Sequence, residues 1–299
     1  MNKFETPILF LIFNRPDLVE IAFQRIKEVK PSFLFIAADG PRKNHAEDLI
    51  KCEQTRNIVL SMIDWECEVK TLFRNENLGC GIAVSSAITW FFTHVEEGII
   101  LEDDCLPLPF FFQYARTLLK KYSNAGHIMH ISGNNFLTGM NIPYDIFFSK
   151  YPHSWGWATW RNRWSRYTYD FHDSEIDFSL GRYDFLNSKS RKYWLDAFNK
   201  TKTGMIDTWD YQWFYTIWKN NGICVIPKYN LTINIGFQHS ATHTKTQDNR
   251  FNSLATQDFS LNRFPPSEEI NVDFDETFFD TYLKEPFSLK VFLKKLMRI

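Results

Sequence analysis

The sequence predicts an α/β fold around a mostly parallel central sheet, and three observations lead there. Short apolar runs alternate with helix-length segments through residues 1–126, the pattern of strand–helix–strand crossovers. The runs are almost continuously apolar, as strands covered on both faces must be. Each run also ends in a polar loop, and ligands of such sheets sit outside the carboxyl ends of the strands.

Residues 7–13 (PILFLIF) are the first strand, and the N-R-P that follows turns the chain into a helix over 17–29. The second strand, FLFIAAD (33–39), stops at Asp39-Gly40-Pro41, a strong turn signal. A helix over 44–62, a strand EVKTLFR (68–74), a loop NENLGCG and a helix over 82–95 come next. The fourth strand is GIILEDD (98–104), and a helix over 109–122 follows it. The loops thus open at Asn14, Asp39, Arg74 and Glu102, all polar. Beyond residue 127 the texture changes. HIMHISGNN reads as a strand and turn, a helix covers 208–220, and GICVIPKYNLTINIGF reads as a hairpin or strand pair. Eight of the ten tryptophans lie between Trp155 and Trp218, so aromatic surface is concentrated in this half. Residues 240–285 are polar and aperiodic and read as a loop-rich tail.

Composition narrows the function classes. With 34 basic and 35 acidic residues the chain has no global field that would draw nucleic acid. Its five cysteines are scattered, with no C-x-x-C pair, so neither a zinc site nor a disulfide framework is indicated. They read as buried thiols of a reducing cytoplasm. The apolar run from Pro7 to Phe13 is seven residues, too short for a membrane span, and no signal-peptide pattern surrounds it. A cytoplasmic chain is expected, soluble or peripheral to the inner face of a membrane.

The most informative stretch is Glu102-Asp103-Asp104. Three consecutive carboxylates at the end of a buried strand repel one another and need a positive partner. Clustered carboxylate oxygens suit a hard divalent cation, Mg²⁺ or Mn²⁺, whose shell water and a substrate diphosphate would complete. The plainer reading is a solvated turn.

VEEGIILEDDCLPLPFFFQYARTLLKKY, followed by HIMHISGNN, resembles the metal-motif region of GT-A fold glycosyltransferases. It is most similar to the N-acetylglucosaminyltransferase I family, in which an E-D-D motif precedes an apolar stretch, F-F and a helix. Downstream, TWDYQWFYTIWKNNGICVIPKYNLTINIGF resembles that family's W-D segment and the G-x-C-x-x-P strand after it. PILFLIFNRP and FIAADGP take the places of the family's first two nucleotide-binding strands. Order and spacing agree over residues 5–240. The resemblance implies a GT-A (Rossmann-like, nucleotide-sugar-binding) fold with residues 1–126 as the donor half and 127–250 as the acceptor half of one domain. Residues 251–299 would form the tail. The family's animal members carry a membrane anchor and stem that have no counterpart here. Between Phe148 and Asp207 little beyond Gly156-Trp157 is shared, so acceptor identity does not transfer. Short chains of this kind resemble bacterial enzymes of surface-polysaccharide synthesis.

The resemblance also implies roles. Asp39 would hydrogen-bond the uracil of a UDP-sugar, although the plain alternative is a turn or capping aspartate. Asn14 and Arg15 would meet nucleotide or phosphate. Asp104 would hold the cation, with Asp103 and Glu102 on ribose, donor sugar or the cation's waters. His239 or His243 would cover the site or add a ligand. Asp210 would be the general base of an inverting transfer, with Asp207 its rival or the cap of the helix at 208–220. Trp157 and Trp209 would stack on sugar faces or simply fill the core. Two rivals stand beside a hexosyl- or N-acetylhexosaminyltransferase. A sugar nucleotidyltransferase needs a glycine-rich loop after its first strand, and FNRPD has no glycine. A carbohydrate-binding protein on the same fold would not need the full set of carboxylates.

The tail EPFSLKVFLKKLMRI reads as a basic amphipathic helix started by Pro286. Leu289, Phe292, Leu293, Leu296 and Ile299 gather on one side, Lys290, Lys294, Lys295 and Arg298 on the other. Such a helix either lies on an anionic membrane surface, suiting a lipid-linked glycan acceptor, or docks on the core.

Overall fold

The computed structural model describes residues 3–170, 181–236, 255–257 and 259–283. Strands β1 (Ile8–Ile12), β2 (Phe33–Ala38), β3 (Glu68–Phe73) and β4 (Glu97–Glu102) are followed in turn by helices α1 (Pro16–Val29), α2 (Asp48–Met62), α3 (Gly79–His94) and α4 (Pro109–Lys121). A short β5 (Cys105–Pro107) lies between β4 and α4. Next come β6 (Ile128–Ser132), β7 (Ile146–Ser149), β8 (Trp157–Trp160), α5 (Arg161–Trp164), α6 (Ser188–Lys202) and α7 (Asp210–Lys219). The described residues close with β9 (Ile223–Pro227), β10 (Thr232–Asn234) and α8 (Val272–Phe278).

Eight strands form one sheet in the order β3-β2-β1-β4-β8-β6-β9-β7. Four of its seven neighbouring pairs are parallel, so the sheet is mostly parallel as the sequence predicts. All five residues of β1 are buried because both faces are covered. Leu9, Leu11, Phe35, Ala37 and Ile100 point to one face, where α3 packs with the tryptophan-rich second half. Ile8, Phe10, Ile12, Leu34, Ile36, Ile99 and Leu101 point to the other, under α1, α2 and α4. The strand order reverses between β1 and β4, which pair directly with Leu11 opposite Glu102. That is the topological switch point, where the loops part into a crevice.

Several boundaries differ from the expectation for local reasons. Helix α2 begins at Asp48 rather than residue 44 because the Asp48 carboxylate is taken by Arg42. The Arg42 Nη2 donates to Asp48 Oδ1 at 2.9 Å and its main-chain N–H to Oδ2 at 3.2 Å, holding the turn before the helix. The expected strand pair at 222–237 is not a hairpin, since β9 and β10 join different sheets. Asn135 donates to the carbonyls of Pro227 and Lys228 (3.0 and 2.9 Å) and its N–H to Asn230 Oδ1 (3.0 Å). These bonds swing the chain across β6 so that β10 pairs antiparallel with β5, Asn234 opposite Cys105.

Within the expected loop-rich tail, residues 272–283 are helical and packed on the core. Phe274 meets Phe147 with ring centroids 4.6 Å apart, Phe278 meets His153 at 4.6 Å, and the Tyr282 hydroxyl donates to the Phe136 carbonyl at 2.9 Å. The aromatic spacing 274–278–282 is the signal that a mainly polar composition hid. The helix expected at 286–299 lies outside the described residues.

Asp275 of α8 is buried and accepts the Ser149 hydroxyl and the Lys150 N–H (2.9 Å). Burial pushes its carboxyl up to about 7. Between the ordinary carboxyl range and about pH 7 the folded state therefore binds more protons than the unfolded one, and stability falls as pH rises. The melting temperature should drop between pH 5 and 7.5, and Asp275→Asn should flatten that slope. An unchanged slope in the variant would assign the titration to another group.

Candidate active site

The loops leaving β1, β2, β3 and β4 converge at the carboxyl edge of the sheet. The positive partner that the three carboxylates need is Arg15, carried there from the end of β1. Its Nη1 lies 2.6 Å from Asp104 Oδ2 and 3.3 Å from Asp103 Oδ1. The Phe13 N–H donates to Asp103 Oδ2 at 3.0 Å, so Asp103 is held from both sides. One guanidinium still faces three carboxylates. Burial, with the charges of Asp104 and Asp103 and a smaller contribution from Asp210, pushes the Glu102 carboxyl well up. Burial likewise raises Asp103, against the pull of Arg15. Asp103 chiefly, with Asp104 and Glu102, holds the Arg15 guanidinium firmly charged.

The second sheet completes this edge. Ile235 donates its N–H to the Asp104 carbonyl at 2.8 Å, and Gly236 follows directly. A Cβ on Gly236 would stand 2.7 Å from Asp104 Oδ2, so only glycine leaves that carboxylate its room. The two sequence segments that carry the resemblance are thus in contact.

The two candidate bases have different surroundings. Asp207 accepts the Gly81 N–H at 2.9 Å in the first turn of α3, and the Tyr169 hydroxyl donates to it as well. It therefore caps α3, not the helix that follows it in sequence. Asp210 opens α7, and its Oδ1 accepts the Tyr211 N–H (2.9 Å) and the Thr208 hydroxyl. Burial raises its carboxyl. Among the described residues no hydrogen bond engages Asp210 Oδ2. Its charge acts on Glu102, the first of the E-D-D carboxylates.

Other predicted residues are placed as follows. The Asp39 carboxylate accepts Gly40 N–H (2.9 Å), Leu78 N–H (3.1 Å) and Asn77 Nδ2 (2.9 Å), so it anchors the loop before α3. Asn14 donates to Asp48 Oδ1 at 2.7 Å, and Arg42 holds Asp48 ionised down to about 2. Trp157 opens β8, is 0% exposed and is stacked between His130 (4.8 Å) and Trp209 (5.5 Å), the core-filling alternative. Trp209 is buried with it. His130 accepts the Trp213 indole N–H at Nδ1 and donates from Nε2 to the His153 carbonyl, each at 3.1 Å, and burial lowers it to about 3. His239 and His243 lie outside the described residues.

Sequence reasoning missed Cys80, Arg42, Asp48 and Asn77. Cys80 sits between the two glycines that open α3, and the charges of Glu102, Asp210 and Asp207 reach it. Cys80 is exposed, not buried as expected of the five thiols, yet desolvation by its surroundings and those carboxylates push its thiol well up, so it stays protonated at neutral pH. Its place in the loop after β3 was the available signal.

No protein-family model matches the chain, and no curated protein is similar to it in sequence. Solved structures give distant likenesses. A UDP-glucose pyrophosphorylase complexed with UDP-glucose aligns at 12% identity and TM-score 0.28, over 48% of this chain and 62% of that one. TarS (residues 1–349) of S. aureus aligns at 11% identity and TM-score 0.34, over 52% and 47%. Mouse xyloside xylosyltransferase 1 in its apo form aligns at 11% identity and TM-score 0.35, over 71% and 81%. The chain spans less than two thirds of the first two.

Alanine in a helix is ordinarily favoured over glycine by up to about 1 kcal/mol. At Gly81 a Cβ would stand 2.5 Å from Asp207 Oδ1 and from the Tyr169 hydroxyl. Gly81→Ala should therefore destabilise, by about 1–3 kcal/mol in urea denaturation. Asp207→Asn should lose about 1 kcal/mol through the weakened cap. A more stable Gly81→Ala protein would contradict the Asp207 contact.

Proposed function

We propose that this chain is a divalent-cation-dependent, inverting glycosyltransferase of the GT-A type, taking its sugar from a nucleoside diphosphate, UDP by resemblance. The observation that carries the reading is the carboxylate cluster Glu102, Asp103 and Asp104 gripped by Arg15 at the β1/β4 switch point, with the charge of Asp210 acting on Glu102.

The residues suit the cation that the resemblance implies. Among the described residues no three His, Cys, Asp or Glu side chains form a cage. Mg²⁺ or Mn²⁺ bound together with substrate phosphates needs only one or two carboxylates. Asp104 and Glu102 qualify, since Glu102 makes no side-chain hydrogen bond among the described residues and Asp104 Oδ1 has only the Cys105 thiol at 3.7 Å. Asp103, fixed by Phe13 and Arg15, positions its neighbours. When bound, the cation supplies Lewis-acid stabilisation of the departing diphosphate. Arg15 adds a second positive charge to the diphosphate oxygens.

Asp210 Oδ2 takes the proton of the acceptor hydroxyl. The acceptor oxygen bonds to the anomeric carbon as the bond from that carbon to the diphosphate oxygen breaks on the opposite side, so configuration inverts. Burial makes Asp210 a stronger base than an exposed carboxylate. The acceptor is a glycan or lipid-linked glycan of a surface polysaccharide. No helix among the described residues is long and apolar enough to cross a membrane; segment 286–299 is the proposed contact with anionic lipid at the inner face.

Asp104→Asn should weaken Mn²⁺-dependent binding of UDP-sugars in a thermal-shift panel. Asp210→Asn should keep donor binding and cut transfer by about a hundredfold or more. A retained anomeric configuration in the product, or an active Asp210→Asn beside a dead Asp207→Asn, contradicts the assignment. The full chain should float with anionic liposomes and a chain ending at Glu285 should not; equal flotation assigns segment 286–299 to the core.

A further inference from the structure

We infer that Arg15 is an internal counter-ion that competes with the cation for Asp104 and is drawn off by the diphosphate, so that cation and nucleotide must bind together. The inference rests on the glycosyltransferase reading above and adds an order of events to it.

The two aspartates that Arg15 touches are held very differently. Asp103 keeps the Phe13 N–H when the guanidinium leaves, and its side chain is 8% exposed. Asp104 has no main-chain donor among the described residues, and Arg15 is its strong partner at 2.6 Å. Both contacts come from a single nitrogen, Nη1. The Arg15 side chain is 47% exposed, and among the described residues no hydrogen bond engages its Nε or Nη2, which leaves those donors for a diphosphate. Arg15 is also the residue just before Pro16, which starts α1, so its main chain is fixed while the side chain is free to swing.

Charge decides the sequence of events. Without ligand, the guanidinium neutralises Asp104 through Oδ2 and leaves only Oδ1 for a cation. A cation arriving alone at Oδ1 meets a carboxylate whose charge is already taken by a 2.6 Å charge-assisted bond, and would be repelled by the guanidinium beside it. A diphosphate arriving alone meets the guanidinium together with three carboxylates, Glu102, Asp103 and Asp104. When both arrive, the guanidinium moves from Asp104 to the phosphate oxygens and Asp104 takes the cation, so neither the diphosphate nor Asp104 is left without a positive partner. Binding is therefore reciprocal, each ligand tightening the other by the same factor. The device keeps the carboxylate pocket from holding a cation idle.

The test titrates the full-length protein with MnCl₂, reading free Mn²⁺ by electron paramagnetic resonance, alone and with saturating UDP or uridine. In the wild type UDP should tighten Mn²⁺ by at least about tenfold, within the usual range of coupling, and uridine should not. In Arg15→Gln, Mn²⁺ alone should bind several-fold tighter than in the wild type, and the UDP effect should fall below about threefold. Mn²⁺ alone should also raise the melting temperature of Arg15→Gln more than that of the wild type, a response that a merely structural arginine would not produce. Arg15→Lys, which keeps the charge, should retain most of the coupling and guards against a misfolded glutamine variant. Mn²⁺ binding to Arg15→Gln that is unchanged or weaker, with coupling intact, overturns the counter-ion role. Absence of any Mn²⁺ binding to the wild type with UDP overturns instead the glycosyltransferase reading beneath it.

Discussion

The bridge from Arg15 to Asp103 and Asp104 is the contact on which the rest of the site depends. It joins the loops of β1 and β4 across the switch point of the sheet. Three carboxylates at the end of a buried strand are tolerable only because a cation is built in beside them. That requirement explains the neighbouring architecture. β1 must be apolar on both faces to run through the centre of the sheet, α1 must start at Pro16 to set Arg15 at its mouth, and Gly236 must lack a side chain to leave Asp104 open.

The second half of the chain hangs on this edge through two further polar contacts. Asp207 fastens the segment before α7 to the first turn of α3, and two glycines make room for it. Asn135 and Asn230 turn the chain between β9 and β10 so that β10 pairs with β5, directly after the E-D-D carboxylates. Beneath them lies a block of stacked rings, His130, Trp157, Trp164, Trp209 and Trp213, with the histidine neutral and hydrogen-bonded through both nitrogens. This block is buried. It sets the position of the α7 N-terminus, and therefore of Asp210, relative to Glu102.

Much of the first half was legible because its signals are local. Continuous apolar runs closed by Asn-Arg-Pro or Asp-Gly-Pro fix strand ends within a residue or two, and the polar residues beyond them fall at the carboxyl edge. What could not be read depends on contacts between residues far apart in sequence. Nothing near Asp207 says that its carboxylate belongs to α3 rather than to α7. Nothing in TINIGF says that it pairs with β5 and not with β9. Trp157 looks alike whether it stacks on a sugar or on His130, since a period-two apolar run fits either; burial alone decides it. Asp39 is the instructive intermediate. Its place at the end of β2 was legible, but its engagement by Gly40, Asn77 and Leu78 appears only when the loop before α3 folds back over it.

The central claim is that the switch-point carboxylates and Arg15 together hold a cation and a nucleoside diphosphate. It is tested most directly by anomalous diffraction at the manganese edge on crystals grown with UDP and MnCl₂. The account predicts one strong peak about 2.1 Å from an Asp104 oxygen, the distance usual for small divalent cations, with the diphosphate on its far side and the Arg15 guanidinium on phosphate oxygens. UDP bound elsewhere, or manganese absent from this edge while Arg15 still grips Asp104, would contradict it.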